Sequence, residues 1–339
     1  MKKDMKEEES ADEGAEPEGA LPPLLPVGRA AWAIRPDALS RIAEAQRYAA
    51  AHDREMAALI KYAQTAGQMQ TAGQIAVIPL CGILTPRGSF LSLLFGGGRS
   101  GLVGFREQFR EAVNSPEVAT IVIDVDSPGG LVSLVPETAE EVFAARGTKP
   151  ILAVANTLCA SAAYWIAAQA DELIVTPSGE AGSIGVYMVH QDYSGFNARV
   201  GVEPQYIKAG RYKTEGNPDE PLGEEGEAQW QAECDELWGM FVEAVAQGRG
   251  VSAASVRGGY GEGRSLRAEP ALQAGLVDRI APMEDVMAGL LGLGTEGEPP
   301  PLIPGARAET PEEDELPDDD DGDEDEPISR MSPADVLFG

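Results

Sequence analysis

From Gln74 onward the chain alternates short, continuously apolar runs with stretches of helical periodicity, and nothing else in it limits the fold so tightly. Ile75-Ala-Val-Ile-Pro-Leu80 and Thr120-Ile-Val-Ile-Asp-Val125 have the composition of strands buried on both faces. Strands of that kind belong to parallel sheets covered by helices. A glycine-rich loop at Gly96-Gly97-Gly98 and a helix over about 102–114 separate them. A helix over about 132–145, a strand over 150–154, a helix over 161–168 and a strand over 172–175 follow. The expectation is an α/β fold with a largely parallel sheet. Upstream, Leu39, Ile42, Ala45, Ala49, Met56, Leu59 and Ile60 recur at helical spacing, and Pro36 sits near a helix start, which predicts one or two leading helices. Residues 224–247 read as one long amphipathic helix with Trp230, Leu237, Met240 and Phe241 on one face. That stripe reads as core or subunit contact rather than as a cofactor site.

Composition narrows the partners. The 339 residues carry 56 Asp and Glu against 26 Lys and Arg, a net charge of −30. Affinity for nucleic acid comes from Lys and Arg neutralising phosphates, so nucleic acid is disfavoured. Much of the acid lies at the ends, with −5 over residues 1–28 and −12 over residues 305–339, leaving −13 for residues 29–304. Segments so charged and so poor in apolar surface cannot offset the entropy of ordering, and both ends read as disordered. They serve as solubilising tails or as partner-binding segments, and the closing Ser332-Pro-Ala-Asp-Val-Leu-Phe-Gly339 turns apolar as a docking peptide would. Cys81, Cys159 and Cys234 are scattered, and His52 and His190 are the two histidines, so neither a disulfide framework nor a metal site is expected, and no cofactor. No apolar run follows the first lysines and none reaches the length of a membrane span, so the expectation is a soluble, cytoplasmic protein with no membrane partner.

Two segments could carry chemistry. Asp126-Ser-Pro-Gly-Gly130 closes a strand, and its glycines leave backbone N–H groups unscreened, as an oxyanion site needs. A Pro-Gly turn at a strand end is also common in its own right. In Asn156-Thr-Leu-Cys-Ala-Ser-Ala-Ala-Tyr-Trp165 a serine stands where a strand passes into a helix. There the helix dipole and free N–H groups favour developing negative charge at Ser161. The other reading of this segment is a small-residue helix packed closely on the sheet. A serine nucleophile needs a base, and His190, Lys208 and Lys213 are the candidates. A lysine serves only if its pKa falls from about 10.4 towards 7, which requires burial. Composition and spacing leave the three open.

The stretch from about Ile75 to Ile280 resembles the S49 serine peptidases, the signal peptide peptidase A family, within the ClpP/crotonase-like fold with its repeated ββα units. The resemblance rests on five segments in order: Asp-Ser-Pro-Gly-Gly130, Ala-Ser-Ala-Ala-Tyr-Trp165, Gly182-Ser-Ile-Gly185, Lys208-Ala-Gly-Arg-Tyr-Lys213, and Gly263 through the Gly-Leu-Val-Asp278 close. It implies a Ser–Lys dyad with Ser161 as nucleophile and Lys213, rather than Lys208, as base. It further implies that Ser183 orients the lysine and that N–H groups of Gly129 or Gly130 and of Ala162 form the oxyanion hole. His190 stays as the alternative base of a ClpP-like triad.

The acidic ends, the leader with Trp32-Ala-Ile-Arg-Pro36, Tyr187-Met-Val-His190 and Lys213-Thr-Glu-Gly-Asn-Pro218 are similar to the bacteriophage branch of head maturation (prohead) proteases. That branch acts in the host cytoplasm or inside the procapsid, on scaffold, capsid or portal proteins and on itself. Serine and lysine can come from adjacent subunits in such enzymes, which implies a ring-like homo-oligomer supported by the 224–247 helix. The implied organisation is an acidic disordered segment (1–34), a helical leader (35–70), an S49 peptidase domain (71–285) and an acidic disordered tail (286–339). The rivals are a soluble housekeeping peptidase of the signal-peptide-degrading type and a non-catalytic capsid assembly or scaffold factor. A crotonase-type acyl-CoA enzyme shares the fold, but no basic cluster suits an adenosine phosphate.

Overall fold

The structure, a computed structural model, describes residues 31–35, 38, 68–88 and 101–293. The predicted leader helices, the Gly96–Gly98 loop and most of both acidic ends lie outside the described residues. Among the described residues, strands β1 (Trp32–Ile34), β2 (Gln70–Ala72), β3 (Ile75–Leu84), β4 (Thr120–Leu131), β5 (Ile151–Ala160), β6 (Glu172–Val175), β7 (Glu180–Gly182), β8 (Ser265–Arg267) and β9 (Arg279–Ile280) form one sheet. Its main ladder runs β2-β3-β4-β5-β6-β9, parallel from β3 to β9, with β2 folded back antiparallel on β3 through a turn at Gly73, φ 61°. The expected α/β class with a largely parallel sheet is present.

Helices α1 (Gly101–Asn114), α2 (Val135–Ala144) and α3 (Ala162–Ala167) connect β3 to β4, β4 to β5 and β5 to β6. After α4 (Ser194–Val200) come α5 (Glu224–Arg249), α6 (Ala253–Gly259), α7 (Ala268–Gln273) and α8 (Met283–Leu290). One face of the sheet presents Ile121, Ile123, Val125, Ala153 and Leu173 to Phe105 and Phe109 of α1, Val142 of α2 and the whole of α3. The other presents Val122, Leu152, Val154 and Ile174 to Val286 of α8. Burial on both faces is why these strands read as unbroken apolar runs. Trp165 of α3 stacks on Phe241 of α5 with centroids 4.4 Å apart, so part of the predicted aromatic stripe is core. Trp230 is also buried, whereas Met240 is exposed. Helix α5 opens with Glu224, Glu225 and Glu227 and stops at Gly250, φ 64°, charges and cap each suited to its end.

Three boundaries differ from the sequence expectations. The Ser-Pro-Gly-Gly segment is strand rather than turn: β4 runs on to Leu131 because β1 pairs with its far end. Residues 32–34, grouped by charge with the disordered N-terminal segment, form that β1, since Trp32 and Ile34 are apolar enough to bury against Ile83. Residues 286–290, grouped with the acidic tail, complete α8, whose Val286 fills the second core face. The far halves of β4 and β5 thus carry a second ladder, with β1 on β4, β7 on β5 and β8 on β7. Register shifts between Cys81 and Ile83 and between Val125 and Ser127 mark where the strands bend from one ladder to the other. No helix among the described residues is long and apolar enough to cross a membrane.

Candidate active site

The second ladder gathers the small residues picked out in the sequence. Ser161 sits between the end of β5 and the first turn of α3, only 1% exposed, with φ 55° and ψ −121°. A non-glycine residue held there costs about 1–3 kcal/mol, and such outliers cluster at functional positions. Two bonds fix it: its N–H donates to the Gly182 carbonyl at 2.7 Å, and its carbonyl accepts from Trp165 N–H at 2.9 Å. The hydroxyl is loosely held, with Gly185 O at 3.5 Å from Oγ. A strained strand-to-helix turn presenting a loosely held hydroxyl is the geometry of a nucleophile elbow.

Gly129 lies directly beside it. A Cβ on Gly129 would stand 3.0 Å from Ser161 Cβ and 2.1 Å from the Ala33 carbonyl oxygen, and φ there is 100°, so only glycine fits. Gly130 is as crowded, with Leu84 O 1.8 Å from where its Cβ would be. Ser127, which sequence reasoning passed over, shapes this edge from a fully buried position. Its Oγ donates to Gly82 O at 2.6 Å and accepts the Gly129 N–H at 3.1 Å. The Gly129 N–H is therefore engaged, which singles out Gly130 as the donor able to face a reacting carbonyl. Ala162 opens α3, where the first-turn N–H groups have no intrahelical acceptor. Ser183, φ 57° and buried, follows Gly182 and is anchored by its N–H to Arg264 O at 2.9 Å.

The candidate bases stand apart. Every residue from 201 to 213 is exposed, Lys208 and Lys213 among them. Lys208 Nζ donates to Thr214 Oγ1 at 3.0 Å. Arg211 and Tyr212 hold the segment to Glu225 of α5 at 2.9 and 2.6 Å. His190 has other partners: its Nε2–H donates to Glu220 O at 3.1 Å, and its ring meets Trp230 edge-on at 5.9 Å. Among the described residues no hydrogen bond joins Ser161 to Lys208, Lys213 or His190.

A parallel sheet whose strand ends bend into a second ladder, with a serine-headed helix beside a Gly-Gly edge, makes the chain an α/β protein with a candidate nucleophile at a strand-to-helix turn. Its sequence is more specific. Residues 144–292 match the sequence model of a family described as Peptidase family S49. Over those residues the chain is similar to that family.

Its curated relatives include the head-tail preconnector protein GP5 of Enterobacteria phage P21, 31% identical over 242 residues, covering 69% of this chain and 46% of that protein. Capsid assembly protease C of Escherichia phage lambda is 31% identical over 218 residues, covering 64% of this chain and 49% of that protein. A putative protease of Methanocaldococcus jannaschii is 32% identical over 182 residues, 54% of this chain and 58% of that one. The chain spans about half the length of the two phage relatives. Remote solved structures include a membrane-bound stomatin-specific protease with a substrate peptide, 16% identical, TM-score 0.39, covering 64% of this chain and 80% of that one. The ClpP catalytic domain of Plasmodium falciparum is 12% identical, TM-score 0.37, covering 61% and 84%. Scores this low assign no residue.

Proposed function

We propose that the protein is a serine endopeptidase with a Ser161–Lys213 dyad, acting on phage scaffold, capsid or portal proteins during head maturation and on itself. One observation carries the reading: Ser161 is held in a strained, buried strand-to-helix turn against the Gly129–Gly130 edge. A neutral Lys213 amine takes the Ser161 proton as Oγ attacks the peptide carbonyl and returns it to the leaving amine. The N–H groups of Gly130 and Ala162 receive the charge that develops on the carbonyl oxygen. Ser183 orients the lysine. A relative named as a head-tail preconnector protein in one phage and another named as a capsid assembly protease in a second support the substrate class.

Lys213 reaches Ser161 across a subunit boundary in this reading. Its segment is solvated along its length in the single chain, including Val202, Tyr206 and Tyr212, and Ile207 is 97% exposed. Apolar side chains in an otherwise polar loop gain from cover, and a second copy that supplies it also brings the lysine out of water.

The test is hydrolysis of an unfolded acceptor protein. Ser161→Ala and Lys213→Ala each lose activity by at least about 10³-fold, and His190→Ala keeps it to within a few-fold. Co-expressing the two inactive variants restores about a quarter of wild-type activity, because randomly mixed interfaces then pair an intact serine with an intact lysine. Loss with His190→Ala while Lys213→Ala stays active would replace the dyad by a triad.

A further inference from the structure

Strand β1 lies where a substrate would. Residues 31–35 read Ala-Trp-Ala-Ile-Arg and run extended and antiparallel along β4, pairing Trp32 with Leu131, Ala33 with Gly130 and Ile34 with Gly129. Val132 N–H donates to Ala31 O at 3.2 Å, and Arg35 N–H to Pro128 O at 3.0 Å. Hydrogen-bonded pairs alternate along an antiparallel ladder, so the pair midway between these two, Ala33 with Gly130, is also hydrogen-bonded. The Gly130 N–H therefore points at the Ala33 carbonyl oxygen. That oxygen and Ser161 Cβ converge on one point beside Gly129, at 2.1 and 3.0 Å. On its other edge Trp32 exchanges both backbone hydrogen bonds with Tyr187, at 2.9 and 3.0 Å.

An extended segment bonded along both edges is how a peptide groove holds its ligand. The side chains fit the same description. Trp32 and Ile34 pack on Ile83, Leu131 and Tyr187, Ala33 is small and wholly buried, and Arg35 Nη1 meets Glu180 at 2.8 Å.

We infer that residues 31–35 occupy the enzyme's own substrate groove and that the Ala33–Ile34 bond is its self-processing site. The inference rests on the Ser161 reading above. Ser161 Oγ bonds to the Ala33 carbonyl carbon, the Ala33–Ile34 C–N bond breaks, and the serine proton passes by way of Lys213 to the Ile34 amine. Water then hydrolyses the ester, releasing the Ala33 carboxylate and restoring Ser161. Until the cut, the groove is closed to other chains. Afterwards it accepts extended peptides with a small residue before the scissile bond and large apolar residues on either side of that one.

The experiment follows full-length protein by intact mass while it hydrolyses an unfolded acceptor. Wild type converts to a species beginning at Ile34, acceptor hydrolysis shows a lag that ends as conversion proceeds, and Ser161→Ala and Lys213→Ala stay full length. A peptide of residues 28–37 is cut after Ala33, and the same peptide with Ala33→Trp is cut about 100-fold more slowly, the order of discrimination a tight apolar pocket gives. Wild type that hydrolyses the acceptor without a lag and stays uncut at this bond overturns the inference and leaves the peptidase reading standing. Conversion of both inactive variants at the same bond overturns it too. Hydrolysis of neither acceptor nor peptide removes the peptidase reading and the inference together.

Discussion

Ser161 shows how much local strain a core of small residues can hold. Its turn survives because Gly182 O and Trp165 N–H fix both sides of the residue, and because Gly129 leaves room that any Cβ would fill. Asp124 is costly in another way. It lies on β4, half-buried on the sheet face that carries Cys81 and Asp126, and burial pushes its carboxyl above the usual carboxylate range, Asp126 adding to this and the Asn156 amide opposing it at 3.2 Å. A carboxyl raised in the folded state favours folding fully only below its unfolded pKa, and that contribution fades as pH rises through the folded value. Asp124→Asn removes the charge, so it raises the melting temperature at pH 7, at about 2–4 °C per kcal/mol recovered, and the gain vanishes in acid below the ordinary carboxylate pKa. A melting-temperature profile from pH 3 to 8 reads this directly. The same environment pushes the Cys81 thiol up to about 12, burial first and the two aspartates after it.

At the scale of elements, the key tie joins α5 to the closing Gly-Leu-Val-Asp turn. Arg249, only 7% exposed, donates to Asp278 at 2.7 Å through Nη1 and to Gly275 O at 3.1 Å through Nη2. Asp278 also accepts the Leu173 N–H at 2.8 Å, and Tyr164 of α3 donates to Leu276 O at 2.8 Å. Three elements therefore meet at one ion pair beneath the helix that carries the serine. Asp278→Asn leaves the Arg249 charge buried without its counterion and costs about 3 kcal/mol, seen as a lower denaturation midpoint at unchanged m-value.

Elements of this kind differ in how plainly the sequence announces them. Ile75–Leu80 and Thr120–Val125 are legible because their burial is local to the sheet and leaves an apolar run. The continuation of β4 through Ser127, Pro128 and Gly129 is not, because proline and glycine are depleted from strands. What keeps this stretch extended is pairing with distant strands: Ser127 with Cys159 of β5, and Gly129 and Gly130 with β3 on one side and with β1, nearly a hundred residues upstream, on the other. Ser161 stands out by its placement between strand and helix, but the choice of Lys213 over Lys208 comes from family resemblance alone. Ser127 left no signal, since a buried serine bridging two backbone groups looks like any turn serine.

At the scale of the whole molecule, the exposed segment 201–213 leaves a single chain's serine and lysine unjoined. With the dyad proposed above completed across a subunit boundary, specific activity rises with protein concentration and falls away as oligomers dilute to monomers. Ile207→Asp puts a charge where a neighbouring chain would cover an apolar side chain, and it lowers both the sedimentation coefficient and the activity at a fixed concentration while leaving the melting of the monomer within about 0.5 kcal/mol of wild type. A flat activity profile down to monomer would place the whole site within one chain. The flank of β4 that β1 occupies has its own consequence once the proposed cut vacates it. A bare sheet edge bonds whatever backbone is slack enough to lie straight along it, and folded domains keep their backbones occupied. A peptidase of the proposed kind, built on such an edge, sorts its targets by how tightly they are folded before it reads a single side chain. In the proposed reaction a tightly folded target is spared and an unravelled one is not, so the timing of each cut is set by the target's own folding.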